Sequence, residues 1–258
     1  MCLLLIALDS HPDYSLIIAA NRDEFYDRPT APAAFWPDAP SVLAGRDLKA
    51  GGTWFGIDRQ GRFAAVTNYR QGEREAPAPR SRGRLVSDFL TSAVPAVGYV
   101  EQVQADFELY NGFNLIVGDS NAVYYYSNRE GRVRALGRGL YGLSNHLLDT
   151  AWPKVTSAKT ALGALLNTQG VDLTADLFEL LSSRHRPPDD QLPSTGVGQE
   201  WEQLLSSAFI ASDQYGTRSS TVVLVARDGH VGFEERTFGP RGSPGGSSRL
   251  EFQRGTDV

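Results

Sequence analysis

The sequence predicts an α+β fold built in layers, and three observations carry that expectation. Residues 2–8 and 15–20 are apolar throughout, the pattern of strands covered on both faces rather than on one. Further strand-like runs at 54–69, 113–126 and 220–236 are broken by turn signals at Gly61, Gly118-Asp119 and Asp228-Gly229. Helical periodicity occurs in two separate blocks, 82–108 and 150–181, lying between the strand blocks, which is the arrangement of segregated layers.

Taken in order, the first strand (2–8) and the second (15–20) are joined by a turn at Ser10-His11-Pro12-Asp13, and the second ends in the polar run Asn21-Arg22-Asp23-Glu24. Residues 25–49 carry four prolines and no sustained period, so they read as an ordered loop packed through Phe35 and Trp36. Gly51 to Tyr69 reads as strand, turn and strand, with Gly61 in the turn. Leu85, Phe89, Val100, Val103 and Phe107 fit two amphipathic helices broken at Pro95. Strands return at 113–117 and 122–126, with short runs around Val133 and Tyr141, ending at Ser144-Asn145-His146.

Thr150 is the expected N-cap of a helix over 152–166, with Pro153 in its first turn, and a further helix covers 173–181. Residues 184–199 read as a polar surface loop and 201–208 as a short helix or extended entry. A last hairpin pairs 220–226 with 231–236. No linker separates two cores, so residues 1–239 form one expected domain. Residues 240–258, rich in Gly, Ser, Pro and charge, read as a mobile tail.

Composition narrows the function. The apolar fraction is 41% and the charged fraction 21%, ordinary for a globular chain. A net charge of −5 gives no general affinity for nucleic acid or an anionic membrane. The first apolar run is too short to span a bilayer and lacks a basic leader, so neither a signal peptide nor integral membrane association is expected and the default location is cytoplasmic. With one cysteine there is no internal disulfide, and the four histidines show no paired spacing for a metal. No phosphate-loop motif is present, and no cofactor is expected.

The single cysteine is Cys2. Removal of Met1 would give one residue both a thiol and a free α-amine, and that amine titrates near ~8, low enough to serve as general base. A cysteine among leucines is equally a good core residue. If the second strand pairs with the first, Arg22 or Asp23 arrives beside Cys2, where a guanidinium favours thiolate and a carboxylate orients the amine. Adjacent strand residues point to opposite faces, so both reach Cys2 only around a bend. Asn68 and Asn145 each follow a strand and are candidate oxyanion donors, although Asn at a strand end is also a common turn former. Arg218 precedes the last hairpin and is placed to hold a carboxylate or phosphate.

The series MCLLLIAL, AANRDEFYDRP, GGTWFGI, AVTNYR, GLSNH and YGTRSSTVVLV, in that order, resembles the NRDE family, also called the transport and Golgi organisation protein 2 family. That family is similar to N-terminal nucleophile hydrolases that begin with cysteine, such as choloylglycine hydrolases. The resemblance implies a four-layer αββα sandwich with Cys2 as nucleophile, Asn145 as oxyanion donor and Arg218 as a late-chain site arginine. In choloylglycine hydrolases the arginine and aspartate are separated by two residues, whereas Arg22 and Asp23 are adjacent here, so Glu24 is a second candidate for the carboxylate.

Asn21, Glu24, Asn68 and His146 are the expected substrate-side contacts. The implied activity is hydrolysis of a linear amide or acyl substrate. Animal members of the family are linked to haem movement and acyl-CoA or lipid metabolism, which implies an alternative: a non-catalytic carrier of haem or acyl-CoA using His146, Tyr124–Tyr126 and Arg218.

Overall fold

The computed structural model describes residues 3–72, 78–168, 170 and 172–255. In chain order these contain strands β1 (Leu3–Leu8), β2 (Tyr14–Phe25), β3 (Thr30–Trp36), β4 (Ala39–Asp47), β5 (Phe55–Asp58) and β6 (Phe63–Asn68). Helices α1 (Gly83–Thr91) and α2 (Ala96–Ala105) follow, then β7 (Phe113–Gly118), β8 (Val123–Ser127), β9 (Val133–Leu136) and β10 (Gly139–Leu143). The remainder is α3 (Pro153–Leu166), α4 (Leu173–Leu181), α5 (Gln199–Leu204), β11 (Tyr215–Ala226), β12 (His230–Phe238) and β13 (Pro244–Gln253).

Two antiparallel sheets result. One has the order β10-β1-β2-β11-β12-β13, the other β3-β4-β5-β6-β7-β8-β9. Strand alternation then fixes the layers. Leu4, Ile6, Leu8, Leu16, Ile18, Ala20, Val223 and Phe233 face the second sheet, packing with Phe55, Ile57, Phe63 and Ile116. Their neighbours Leu3, Leu5, Ala7, Ile17, Ala19 and Val222 face α3 and α4. On the far side, Ala64, Val66, Leu115 and Val117 pack against α1 and α2. The stacking is helix, sheet, sheet, helix, the four-layer αββα sandwich, and every residue of β1 is buried because both of its faces are covered. Among the described residues no helix is long and apolar enough to cross a membrane.

Three local expectations are corrected. Residues 25–49 are not a loop: they supply β3 and β4. Pro32 is tolerated because β3 is the edge of its sheet and Pro32 falls in the register break between the Ala31–Arg46 and Ala34–Ala44 pairs. Phe35 and Trp36 do pack, Trp36 donating its Nε1–H to the Ala44 carbonyl at 3.0 Å.

The segment from 240 is not a mobile tail over its described length. Pro244–Gln253 extends the first sheet, with His230 opposite Gln253 and Arg236 opposite Ser247. Composition misleads here because an edge strand needs anchors on one face only, and Leu250 and Phe252 supply them, Phe252 lying 5.7 Å edge-on from Phe35. Thr150 is not the cap of α3. Trp152 holds that position without a side-chain bond, Pro153 starts the helix, and the Thr150 hydroxyl donates to the Leu147 carbonyl at 2.8 Å.

Phe252→Ala is expected to cost about 3 kcal/mol in urea unfolding, the low end for a buried aromatic. An unchanged midpoint would mean that β13 does not pack.

Candidate active site

Cys2 lies outside the described residues, but its covalent neighbour Leu3 opens β1 and pairs with Asn21. The predicted polar run on β2 therefore passes the start of β1. Alternation divides it. Asn21 turns to the helix layer, where its amide nitrogen donates to the Leu181 and Ala208 carbonyls at 2.9 and 2.8 Å and its oxygen accepts from the Ser220 hydroxyl at 2.6 Å. With both amide hydrogens and the oxygen engaged, Asn21 braces β2 against the helices and is not a ligand contact.

Asp23, 5% exposed, accepts from the Thr217 hydroxyl at 2.7 Å, and that hydroxyl accepts from the Ile210 N–H at 2.9 Å, which fixes the carboxylate's orientation. Glu24 takes a different part: it accepts from the Phe25 N–H and lies 3.8 Å from the Arg28 guanidinium, nearer the surface.

Arg22 turns the other way, into the space between the sheets. It is 5% exposed, lies with its guanidinium 4.0 Å above the Trp54 ring, and makes one hydrogen bond among the described residues, to the Thr30 hydroxyl at 3.2 Å. Burial pulls its pKa down, Glu24 and Asp47 push it up, and Arg218 and Arg28 push it down again. A guanidinium remains protonated at neutral pH, so Arg22 is a buried cation with most of its donors unused. Asp47 is committed elsewhere, held at 2.6 Å by Arg28. Burial raises its pKa, but the Arg28 hydrogen bond and charge and the Lys49 and Ala50 N–H groups leave it below the usual carboxylate range.

Asn145 reaches the same end from the opposite flank. β10 pairs Leu143 with Leu4, and Asn145 follows two residues on. Its Nδ2 donates one hydrogen to the Asn68 carbonyl at 3.0 Å, and the second has no acceptor among the described residues. Asn68 meets Asn145 through its backbone; its own side chain is exposed and lines a small cavity of about 120 Å³ with Arg22, Asp23, Glu24 and Arg82.

The loop carrying Asn145 is held by residues that the sequence reading passed over. Asn114 donates to the Thr67 hydroxyl and the His146 carbonyl at 3.0 and 2.9 Å and accepts from the Tyr125 phenol at 2.9 Å. The Arg70 N–H donates to the Asn145 carbonyl at 2.7 Å, and its guanidinium pairs with Glu202 at 2.9 Å, both side chains under a tenth exposed. An asparagine inside the apolar run 113–117 was the available signal for Asn114. Nothing local marks the Arg70–Glu202 pair.

His146 and the tyrosines are structural. Thr150 gives its proton to Leu147, so at the 2.9 Å contact His146 Nδ1 is the donor, and Nε2 accepts from the Tyr69 phenol at 2.7 Å. Both ring nitrogens are therefore occupied in a neutral imidazole, and burial lowers its pKa. Tyr125 is buried on Asn114 with its phenol pushed up to about 12, and Tyr126 packs under α2.

Arg218 occupies a bulge: Asp23 pairs with Thr217 and Arg22 with Ser219, leaving Arg218 as the extra residue. Its Nη1 donates to the Phe25 and Arg28 carbonyls at 2.8 and 3.1 Å, bracing the turn after β2. Glu235 was also missed. It continues the inward alternation of Val231 and Phe233, is 2% exposed, and accepts from the Ala33 N–H at 2.7 Å. Burial drives its carboxyl pKa up, against the hydrogen bond from the Ala33 N–H and the charge of Arg22.

Arg22 and Trp54 also line a second cavity of about 380 Å³. A larger one, about 690 Å³, lies beside α3 and the chain after α4, and none of the predicted site residues lines it. Among the described residues no three His, Cys, Asp or Glu side chains converge as a metal site would require.

A family described as Transport and Golgi organisation 2 matches residues 1–240. The chain is 42% identical over 262 residues to the Bos taurus Transport and Golgi organization protein 2 homolog, covering 92% of this chain and 93% of the relative. It is 40% identical to the Homo sapiens homolog with the same coverage. Among solved structures, it resembles the Caenorhabditis elegans N-acylethanolamine-hydrolyzing acid amidase ortholog at a TM-score of 0.50 and 12% identity, covering 86% of this chain and 92% of the other. That likeness is one of fold alone.

Two outcomes follow from the loop. Glu202→Ala strands the Arg70 guanidinium in the interior and is expected to cost about 3 kcal/mol in urea unfolding, against under ~1 kcal/mol for a surface pair. The ring of His146, followed by NMR, is expected to titrate below the ordinary 6.5. Because its folded pKa is depressed, its contribution to stability is present above 6.5 and is lost as pH falls through the folded value.

Proposed function

The chain belongs to the Transport and Golgi organisation 2 family, and from that premise we propose that it hydrolyses a linear amide or acyl substrate with the Cys2 thiol as nucleophile. The observation that carries this reading is Arg22: a buried guanidinium with one hydrogen bond, one residue beyond the partner of Leu3, at the end of β1 from which Cys2 is covalently suspended. A cation so placed favours thiolate over thiol.

In this reading, removal of Met1 frees the α-amine of Cys2. The amine takes the thiol proton as the sulfur attacks the substrate carbonyl, so a carbon–sulfur bond forms and the carbonyl electron pair moves to oxygen. The free Nδ2 hydrogen of Asn145 supports that oxyanion. On collapse the carbon–nitrogen bond breaks and the ammonium returns its proton to the leaving amine. Water, deprotonated by the same amine, then releases the acyl group as acid and restores the thiol. Asp23, oriented by Thr217, is the carboxylate available to position the amine. The carrier alternative has no such support, since both nitrogens of its histidine ligand are engaged.

Intact mass of the purified protein is expected to lack one methionine. Against a panel of linear amides and acyl thioesters, Cys2→Ala is expected to abolish turnover, and Asn145→Ala to lower kcat by about 10²-fold. A chain that keeps Met1, or a Cys2→Ala variant that still turns over, overturns the reading.

A further inference from the structure

The cavity of about 380 Å³ on the far side of Trp54 has a distinctive wall. Arg22 and Arg218 both line it, and the charge of Arg218 disfavours that of Arg22. Neither is ion-paired: among the described residues Arg22 bonds only the Thr30 hydroxyl, and Arg218 bonds only backbone carbonyls. The one carboxyl on this wall, Glu235, is 2% exposed. The nearer carboxylates that act on Arg22, Glu24 and Asp47, do not line this cavity, so a buried guanidinium and a half-buried one face it with donors to spare, and an anion would join them.

Beside Thr30, Ala31 and Pro32 of β3 and the end of β12, the wall is completed by β13, which lies beyond the residues matched by the family. Gly246 and Ser248 share the inward face of Leu250 and Phe252, but they line the cavity where those two fill the core. A Cβ built on Gly246 meets no atom nearer than the Thr237 hydroxyl at 4.0 Å, so the space before it is open.

Resting on the hydrolase reading, we infer that this cavity is a subsite for a small oxyanion carried by the substrate, a carboxylate or phosphate held between Arg22 and Arg218 and enclosed by β13. The substrate class is then an amide or acyl compound with an anionic end. The volume falls within the range of small-molecule pockets, about 300–1,000 Å³, leaving room for several atoms behind the charge.

Calorimetric titration of the full chain at pH 7 with glutarate, inorganic phosphate and uncharged glutaramide tests this. Saturable binding of glutarate or phosphate, with none of glutaramide, is expected; which anion binds more tightly identifies the group. Gly246→Trp, which fills the cavity from a backbone position of negative φ, is expected to weaken that binding at least tenfold, and Ser248→Phe to do the same should the first variant fail to fold. Cys2→Ala is expected to bind like the parent.

Failure of both anions to bind, or binding indifferent to both folded cavity variants, overturns the subsite and leaves the Cys2 chemistry standing. Anion binding that Gly246→Trp removes, in a protein whose turnover survives Cys2→Ala, overturns the hydrolase reading and leaves the subsite.

Discussion

The site depends on one geometric constraint, the opposed facing of consecutive residues in a strand clamped on both edges. β2 lies between β1 and β11, and the two ladders pin Asn21, Arg22 and Asp23 in register. Asn21 and Asp23 must then face the helices and Arg22 the space between the sheets. A slip of one residue would bury the two carbonyl-bearing side chains among Phe55 and Ile57 and send the guanidinium into the helix layer. The apolar stretch from Leu16 to Ala20, covered on both faces, makes that slip expensive, so the core sets the polarity of each side of the site.

Much of this is legible in the chain itself. The continuous apolar run at 3–8 announces an inner strand, and the family motifs announce the sandwich. The regions missed share a cause: edge strands satisfy half of their requirements from a neighbour. β3 carries proline and β13 carries glycine and serine because one margin of each needs no ladder and one face needs few anchors. At the site, Arg22 and Asp23 leave opposite faces of β2 and Asn145 follows β10 at the same end of the sheet, whereas Asn21, His146 and Tyr125 are saturated by protein partners. A hydrogen-bond inventory of that kind is tertiary and leaves no mark on local sequence. Glu235 left a faint one, a carboxylate in phase with Val231 and Phe233.

The inter-sheet layer changes character along its length. Over most of its extent it is Leu, Ile, Val and Phe, but at the end near Leu3 it holds Arg22, Ser219, Thr221 and Glu235. Such groups lose hydration on burial, and apolar residues of matching shape would stabilise the fold better. Their concentration at one end, next to the candidate nucleophile, fits the general tendency of functional sites to sacrifice stability.

The placement of β11 beside β2 has a consequence for biosynthesis. Ala20 must wait for Thr221, about 200 residues later, before its second edge is covered. At ribosomal rates of roughly 5–20 residues per second, that edge stays open on the order of ten seconds or longer while the second sheet emerges and folds. The nascent chain thus presents an aliphatic ribbon, Leu16 to Ala20, to any chaperone at the exit tunnel, and sheet closure is a late, long-range event rather than a progressive one.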